Sequence, residues 1–502
     1  MQTRCLSIAK IVFFHDKHSV YNKKTQHIII LDFIFVFLQT NNMRKGFIII
    51  MTVFACFVQA QNVDFQTLRN IGLPVVVVET IDKEEPSCEY LTPNDGYQGY
   101  SIRNATKVPG RIQVIIGDNT IYDSGDYEED VSGMTIKLRG NNSAFTEKKP
   151  YKIKLQKKAD MLGEDDVYKD KDWVLLKDEQ PSLNLMVGLK VNELVGLQWT
   201  PRFRFVNLLF NGDYRGVYML CESVKRNTKC RLNVSDSGFI FEMDPYWWNE
   251  DFWFKSNMSN RRYTFKYPES EDVTPEQLDY LIEYMTKVDF SPYDGTYEQY
   301  IDMESFASWV LGHDILGTYD ASGSNIFITK YDDGDSTKLM MGNMWDFDTI
   351  EMVEDDFSKV HTFTGGFITN PLFSSNNETF TQAYKDKWEE LRPTIFNQIE
   401  QFLKDFASSD IARALEESRV LDFNRWSITG PTVALNIISN IHWFKKRKFW
   451  LDRAIGNIVT DINNKNIEPE VSVNQYYNLH GQPISDKAKG LVITKGRKYM
   501  NR

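Results

Sequence analysis

The chain has 502 residues, 42% of them hydrophobic and 25% charged. These values suit a large packed core and exclude a largely disordered chain. At roughly 100–200 residues per domain the length allows about two to four domains. The net charge of −11 at pH 7 argues against nucleic acid and anionic lipid as partners, because an acidic surface repels polyanions unless it carries a local basic patch.

Met43 opens a stretch with the order of a secretory signal peptide. Arg44 and Lys45 supply the positive region, and Phe47–Phe57 is an apolar run too short to span a bilayer. Val58-Gln59-Ala60 is a cleavage site ahead of Gln61. The sequence thus predicts export, with signal peptide 43–60 removed and no transmembrane segment in the mature chain. Such a peptide works at a true N-terminus, so residues 1–42 read as a spurious upstream extension. The alternative is that Ile28–Leu38 belongs to a long leader. Three cysteines remain in the mature chain, Cys88, Cys221 and Cys230, enough for one disulfide at most. Neither C-x2-C nor H-E-x-x-H spacing occurs, which excludes the usual zinc sites.

Residues 61 to about 145 read as β: an apolar run at Leu73–Glu79, a hairpin about Asp118-Asn119, and the strand Met134–Leu138. In the next strand Tyr151, Ile153 and Leu155 fall on one face and Lys152 and Lys154 on the other. Trp173–Leu176 is a short apolar strand, and leucines at helical spacing predict a helix from Ser182 to about Leu197. Val206–Phe210 and Tyr214–Leu220 flank Asn211-Gly212, a hairpin signal. From about residue 270 the pattern turns helical. Thr274-Pro275-Glu276-Gln277 is a capping box with proline at the first helical position, and a second helix runs from near Asp302 to Gly317. Strands at 326–331 and 338–345 flank Asp332-Asp333-Gly334-Asp335, and residues 378–455 are mainly helical. The fold class is α+β: a β-rich lobe, then a helix-rich lobe with a small acidic β insert. Aromatics make up 14%, and Tyr246-Trp247-Trp248 with Trp253 suit either a core or a glycan-binding surface.

The chemistry concentrates between Tyr319 and Asp348. Asp320 and Asn325 have D-x4-N spacing after a helix and before a β-pair that ends in Trp345-Asp346-Phe347-Asp348. Phosphoryl transfer needs such groups. A carboxylate and an amide oxygen hold a divalent cation on the phosphates, a second carboxylate receives the attacking hydroxyl, and a lysine neutralises phosphate charge. Asp320 and Asn325 as turn formers about Gly323 would explain the spacing equally well. Lys152 and Lys154 could equally be a solvated strand face.

Arg139-Gly-Asn-Asn-Ser, Lys149-Pro-Tyr-Lys-Ile-Lys-Leu155, Trp173-Val-Leu-Leu, Asn211-Gly-Asp-Tyr-Arg-Gly-Val-Tyr-Met-Leu-Cys-Glu222, Asp320…Asn325 and Trp345-Asp-Phe-Asp348 together resemble the CotH (spore-coat protein H) kinase family. The resemblance runs over roughly 130–455. It implies an atypical, two-lobed protein-kinase-like domain that uses ATP and Mg²⁺ or Mn²⁺ to phosphorylate Ser/Thr of protein substrates. It also implies roles. Asp320 is the catalytic acid, and Asn325, Asp346 and Asp348 are metal ligands. Lys154 is the phosphate lysine, with Lys149 and Lys152 as competitors and Glu193 as its partner. Glu222 stands at the adenine edge and Arg139 at a phosphate. No G-x-G-x-x-G loop precedes the lysine strand. Tyr476–Lys498 resembles the sorting tails of secreted Bacteroidetes proteins, and a docked terminal hairpin is the alternative. The expected division is therefore 61–130 as a β-rich region, 131–455 as the kinase-like domain and 470–502 as the tail. The other functional readings are a non-catalytic surface-binding or adhesin protein on a kinase-like scaffold, and a glycan-binding protein.

Overall fold

Alternating apolar residues dictate the first sheet. Its strands are β1 (Val75–Thr80), β4 (Val108–Ile116), β5 (Asn119–Asp123), β6 (Met134–Leu138), β7 (Tyr151–Ala159), β8 (Asp170–Lys177), β9 (Phe203–Phe210) and β10 (Asp213–Glu222). A separate two-stranded ribbon joins β2 (Glu89–Leu91) to β3 (Ser101–Arg103). The computed structural model describes residues 63–92, 100–177, 182–318, 324–347, 350, 369–374 and 377–457, with four short strands between 476 and 501. The expected signal peptide, 43–60, and the expected upstream extension, 1–42, lie outside the described residues.

The order β1-β9-β10-β8-β7-β6-β4 returns to β1 through an antiparallel β1–β4 ladder, so the strands close into a barrel with β5 as a flap on β4. One residue in two points inward. Val76, Val78, Ile136, Ile153, Trp173 and Leu208 belong to one buried cluster that fills the barrel. Each such aliphatic side chain contributes about 1.5–3 kcal/mol by leaving water. The outer face of β9 and β10, through Phe205, Val217 and Met219, packs into a second core with the helices.

The expected β-rich lobe is thus a closed barrel, and its strands lie on both sides of residue 130, where the sequence suggested a boundary. β1 lies between β4 and β9, pairing with β9 in parallel.

The second core surrounds a five-stranded antiparallel sheet of order β12-β13-β11-β14-β15, made from Trp253–Lys255, Arg262–Tyr267, Phe239–Met243, Ile326–Lys330 and Leu339–Met341 respectively. The acidic strand pair is thus part of a larger sheet, not a separate insert. Its turn wraps a lysine: the Lys330 ammonium donates to the carbonyls of Asp332, Gly334 and Thr337.

In chain order the helices that matter are α1 (Phe65–Ile71), α2 (Asn142–Phe145), α3 (Asn184–Leu194), α4 (Pro275–Asp294) and α5 (Met303–Leu316). α6 (Thr369–Ser374), α7 (Glu378–Leu391), α8 (Ile395–Ala407), α9 (Asp410–Trp426) and α10 (Val433–Asn457) follow. The expected capping box on α4 is present. α5 starts where Asp302 accepts from the Ser305 N–H at 2.8 Å and stops at Gly317, whose φ of 67° is left-handed. Ser305 to Leu316 are all buried, which makes α5 the central helix of this core. Cys88, Cys221 and Cys230 are free thiols. Among the described residues no helix is long and apolar enough to cross a membrane. The tail's backbone forms a four-stranded sheet.

Candidate active site

Two residues in left-handed conformation define the site. Asn325, with φ 57°, immediately precedes β14, and Asp346, with φ 61°, follows β15. Asn and Asp tolerate this region better than other side chains. The β14–β15 register, Ile328 opposite Met341, brings the two ends together. The Asn325 amide donates to an Asp346 oxygen at 3.3 Å.

α3 holds the Asp346 segment from behind. The buried Asn192 side chain accepts from the Met344 N–H at 2.8 Å. Gly188 leaves room for the Phe347 ring, which a Cβ at 188 would overlap. Neither residue was foreseen. Glycine and asparagine inside a helix are otherwise unfavourable, and that was the available signal.

Asn325, Asp346 and Phe347 line a cleft of about 1280 Å³. One wall is the outer face of β6 and β7, with Lys137, Arg139 and Lys152, and the other is the five-stranded sheet, with Glu242, Asp244 and Lys266. Arg139 is half-buried; its N–H donates to the Pro150 carbonyl at 3.2 Å, and its guanidinium makes no hydrogen bond or ion pair with the described residues. Burial lowers its pKa, and the Asp346 carboxylate works in the opposite direction. Across the cleft Lys266 and Glu242 form an ion pair at 2.8 Å. Burial raises the Glu242 pKa against the pull of Lys266. Burial also disfavours charge on Lys266, but Glu242 and Asp244 outweigh it and hold the ammonium above lysine's usual range.

The structure brings together Arg139, Lys152, Asn325 and Asp346 in this cleft. The other described candidates, Lys149, Lys154, Glu193 and Glu222, do not line it. Lys154 shares the strand face of Lys152 but is exposed beyond the cleft. Lys149 donates to the Tyr90 hydroxyl at 2.8 Å and the Ala144 carbonyl at 2.9 Å. Glu193 pairs with Lys190 on its own helix at 2.9 Å. Glu222 is fully buried at the end of β10, where it accepts from the Arg202 N–H at 2.9 Å and from its guanidinium at 3.0 Å. A lysine–carboxylate pair does face the cleft, but it is Lys266–Glu242, contributed by the other sheet. Asp320 and Asp348 lie outside the described residues. Tyr246 lines the cleft mouth and accepts from Asn142 at 2.9 Å. Trp247 and Trp253 are half-buried around Arg262 instead of lying in the core.

Among the described residues no group of three or more His, Cys, Asp or Glu is arranged to hold a metal. The Asn325–Asp346 pair offers an amide oxygen and a carboxylate. That donor set fits Mg²⁺, which takes one or two carboxylates and completes its shell with phosphate oxygens and water.

A family model described as CotH kinase protein matches residues 136–427. No curated protein matches the chain. Among solved structures it is similar to a chain in the Shewanella oneidensis MR-1 toxin–antitoxin complex of HipA, HipB and operator DNA. That likeness has 13% identity and a TM-score of 0.25, over 57% of this chain and 60% of that one. The family model spans more than half of the chain and includes both walls of the cleft together with Asn325 and Asp346, so this chain belongs to the CotH kinase protein family.

Proposed function

We propose that the protein is an exported phosphotransferase that moves the γ-phosphoryl group of ATP onto Ser or Thr hydroxyls of a protein substrate. One observation carries the reading. Asn325 and Asp346 meet side chain to side chain at 3.3 Å, in a cleft that also holds the Arg139 guanidinium and the Lys266–Glu242 pair. An amide oxygen and a carboxylate beside two cations suit a nucleotide triphosphate with a divalent metal.

Asn325 and Asp346 would hold Mg²⁺ or Mn²⁺, which supplies charge neutralisation on the phosphates. Arg139 and Lys266 take the remaining phosphate charge, and Glu242 keeps Lys266 charged and aimed into the cleft. In the transfer the substrate oxygen bonds to the γ-phosphorus while the bond to the β-phosphate oxygen breaks and ADP leaves. The hydroxyl proton passes to a carboxylate, a role we assign to Asp320. Asp348 is a second candidate ligand. In place of a glycine-rich loop, Arg139 to Ser143 line the cleft. Gly140 turns there with φ 84°, where a Cβ would overlap Ser143, and we assign this turn to the phosphates. Export rests on the n-h-c order of residues 43–60, and sorting rests on the β-rich tail.

The test is calorimetric titration of the purified protein with ATP and Mn²⁺ or Mg²⁺, followed by mass spectrometry for transferred phosphate. Metal-dependent binding and covalent phosphate are expected. A protein that binds no nucleotide with either ion would overturn the reading in favour of a non-catalytic binding scaffold.

A further inference from the structure

The barrel wall of the cleft carries more positive charge than its own carboxylates balance. Lys137 on β6 lies directly opposite Lys152 on β7 in the ladder, on the outer face, because Ile136 and Ile153 point inward. Like charges at directly opposed positions destabilise a sheet. The Lys137 ammonium makes no hydrogen bond or ion pair with the described residues. Burial first, then Lys152 and Lys107, hold its ammonium below lysine's usual range. Among the described residues Lys152 has one ion-pair partner, Asp172 at 3.5 Å, and Lys225 also binds that carboxylate. Asp172 and Glu250 are the acids whose charge reaches Lys137. Lys154 adds a further positive charge beside Asp172. This excess stands out in a chain of net charge −11.

The nucleotide reading does not absorb this pair. Asp346 and Glu242 act on Arg139, so the phosphates belong beside Arg139. Lys137 lies two residues back along the same strand face, roughly 7 Å away at the usual rise per residue. An acceptor lying along the wall would meet Lys137 and Lys152 as it approached the γ-phosphate.

We infer that Lys137 and Lys152 form an acceptor subsite that selects an acidic peptide segment, one with carboxylates flanking the Ser or Thr to be phosphorylated. The inference rests on the phosphotransfer reading for its substrate role but not for its binding chemistry. Peptide carboxylates would relieve the Lys137–Lys152 repulsion, while a basic segment would add to it.

The probe is a fluorescein-labelled peptide with one Ser among Asp and Glu, compared with versions in which the acids are Ala or Lys. Anisotropy titration without ATP reads binding directly. The acidic peptide should bind roughly tenfold or more tightly than the Ala version, and more weakly as salt rises. Lys137→Ala should weaken that preference several-fold while calorimetric Mn²⁺–ATP affinity stays within about twofold. Charge reversal by Lys137→Glu should turn the preference toward the Lys peptide. Both lysines are partly exposed on the outer face, and thermal unfolding checks that each variant folds. Equal binding of acidic and Ala peptides would overturn the proposal. So would an equal loss of nucleotide affinity in Lys137→Ala, which would give the shelf to the nucleotide. If the parent binds the acidic peptide through these lysines but binds no nucleotide, the acidic-segment site stands and the phosphotransfer reading falls.

Discussion

Asp422 of α9 reaches into the barrel wall and accepts the Lys148 ammonium on both oxygens, at 2.9 and 2.8 Å, with both side chains almost fully buried. The same carboxylate accepts the Val217 N–H of β10 at 3.1 Å. Gly216 has φ 100°, and a Cβ there would overlap Asp422. Asp422→Ala removes the carboxylate from a buried ammonium and should cost about 3–5 kcal/mol. Gly216→Ala combines a left-handed conformation with a clash and should cost roughly 2 kcal/mol or more. Denaturant unfolding checks both. A loss under about 1 kcal/mol for Asp422→Ala would show that this pair does not hold α9 to the barrel.

Asp346→Ala should abolish metal-dependent nucleotide binding, because the triphosphate then lacks a metal carboxylate. On the proposed assignment of Asp320 to the incoming hydroxyl, Asp320→Ala should leave nucleotide binding within a few-fold and abolish transfer. Thermal-shift titration with Mn²⁺–ATP, alongside radiolabel transfer, separates the two effects. If Asp346→Ala binds like the parent, Asp348 becomes the candidate ligand.

Lys266→Ala should weaken nucleotide binding by roughly tenfold or more, the scale of one charge-assisted contact. Lys154→Ala, outside the cleft, should change it by less than about twofold. Calorimetry on both variants discriminates between the two lysines, and the reverse ranking would return the phosphate role to Lys154.

His313 is buried on α5 against Trp309, with its Nδ1 2.6 Å from the Thr318 hydroxyl. Burial lowers its pKa from the ordinary value of 6.5 to about 3. As pH falls below about 6.5 the unfolded chain takes up a proton that the folded chain refuses until about pH 3. Stability from this group is therefore full above pH 6.5 and is lost on acidification, at about 1.4 kcal/mol per pH unit. His313→Asn should flatten the stability curve between pH 7 and 5, read by denaturant midpoints. An unchanged slope would assign the acid sensitivity elsewhere.

Exported protein should begin at Gln61. N-terminal sequencing of secreted material decides this, and a mature chain that retained residues 10–40 would end the signal-peptide proposal.

The legible parts of this fold were those with local chemical causes. The Asn211-Gly212 turn appears as read, with φ of 53° and 80° at the two residues. So does α5, because a side-chain cap and a stop glycine bracket a run of apolar residues. The spacing of Asn325 and Asp346 was legible because one strand pair separates them. Barrel closure was not, since it needs Val75 to find Asn207 and Ile115 far along the chain, and alternation alone does not name partners. The phosphate lysine was sought on β7 because Lys152 and Lys154 alternate so clearly there. Glu242 and Lys266 sit on separate strands that meet at a register shift between Ile240 and Phe241, so nothing in their spacing announced a pair. Glu193, expected as the helical partner, pairs with Lys190 outside the cleft, while the same helix α3 touches the Asp346 segment through Gly188 and Asn192.

Because β1 is wedged between β4 and β9, the family-matched stretch that starts at residue 136 omits two staves of its own barrel. Expressing it alone would strip partners from β6 and β9 and leave two rows of naked backbone amides and carbonyls. Bare edges of that kind recruit strands from other chains. A shortened protein that precipitates would therefore say nothing about the cleft, and biochemistry on this chain belongs on a version that retains the residues from Asp64 onward.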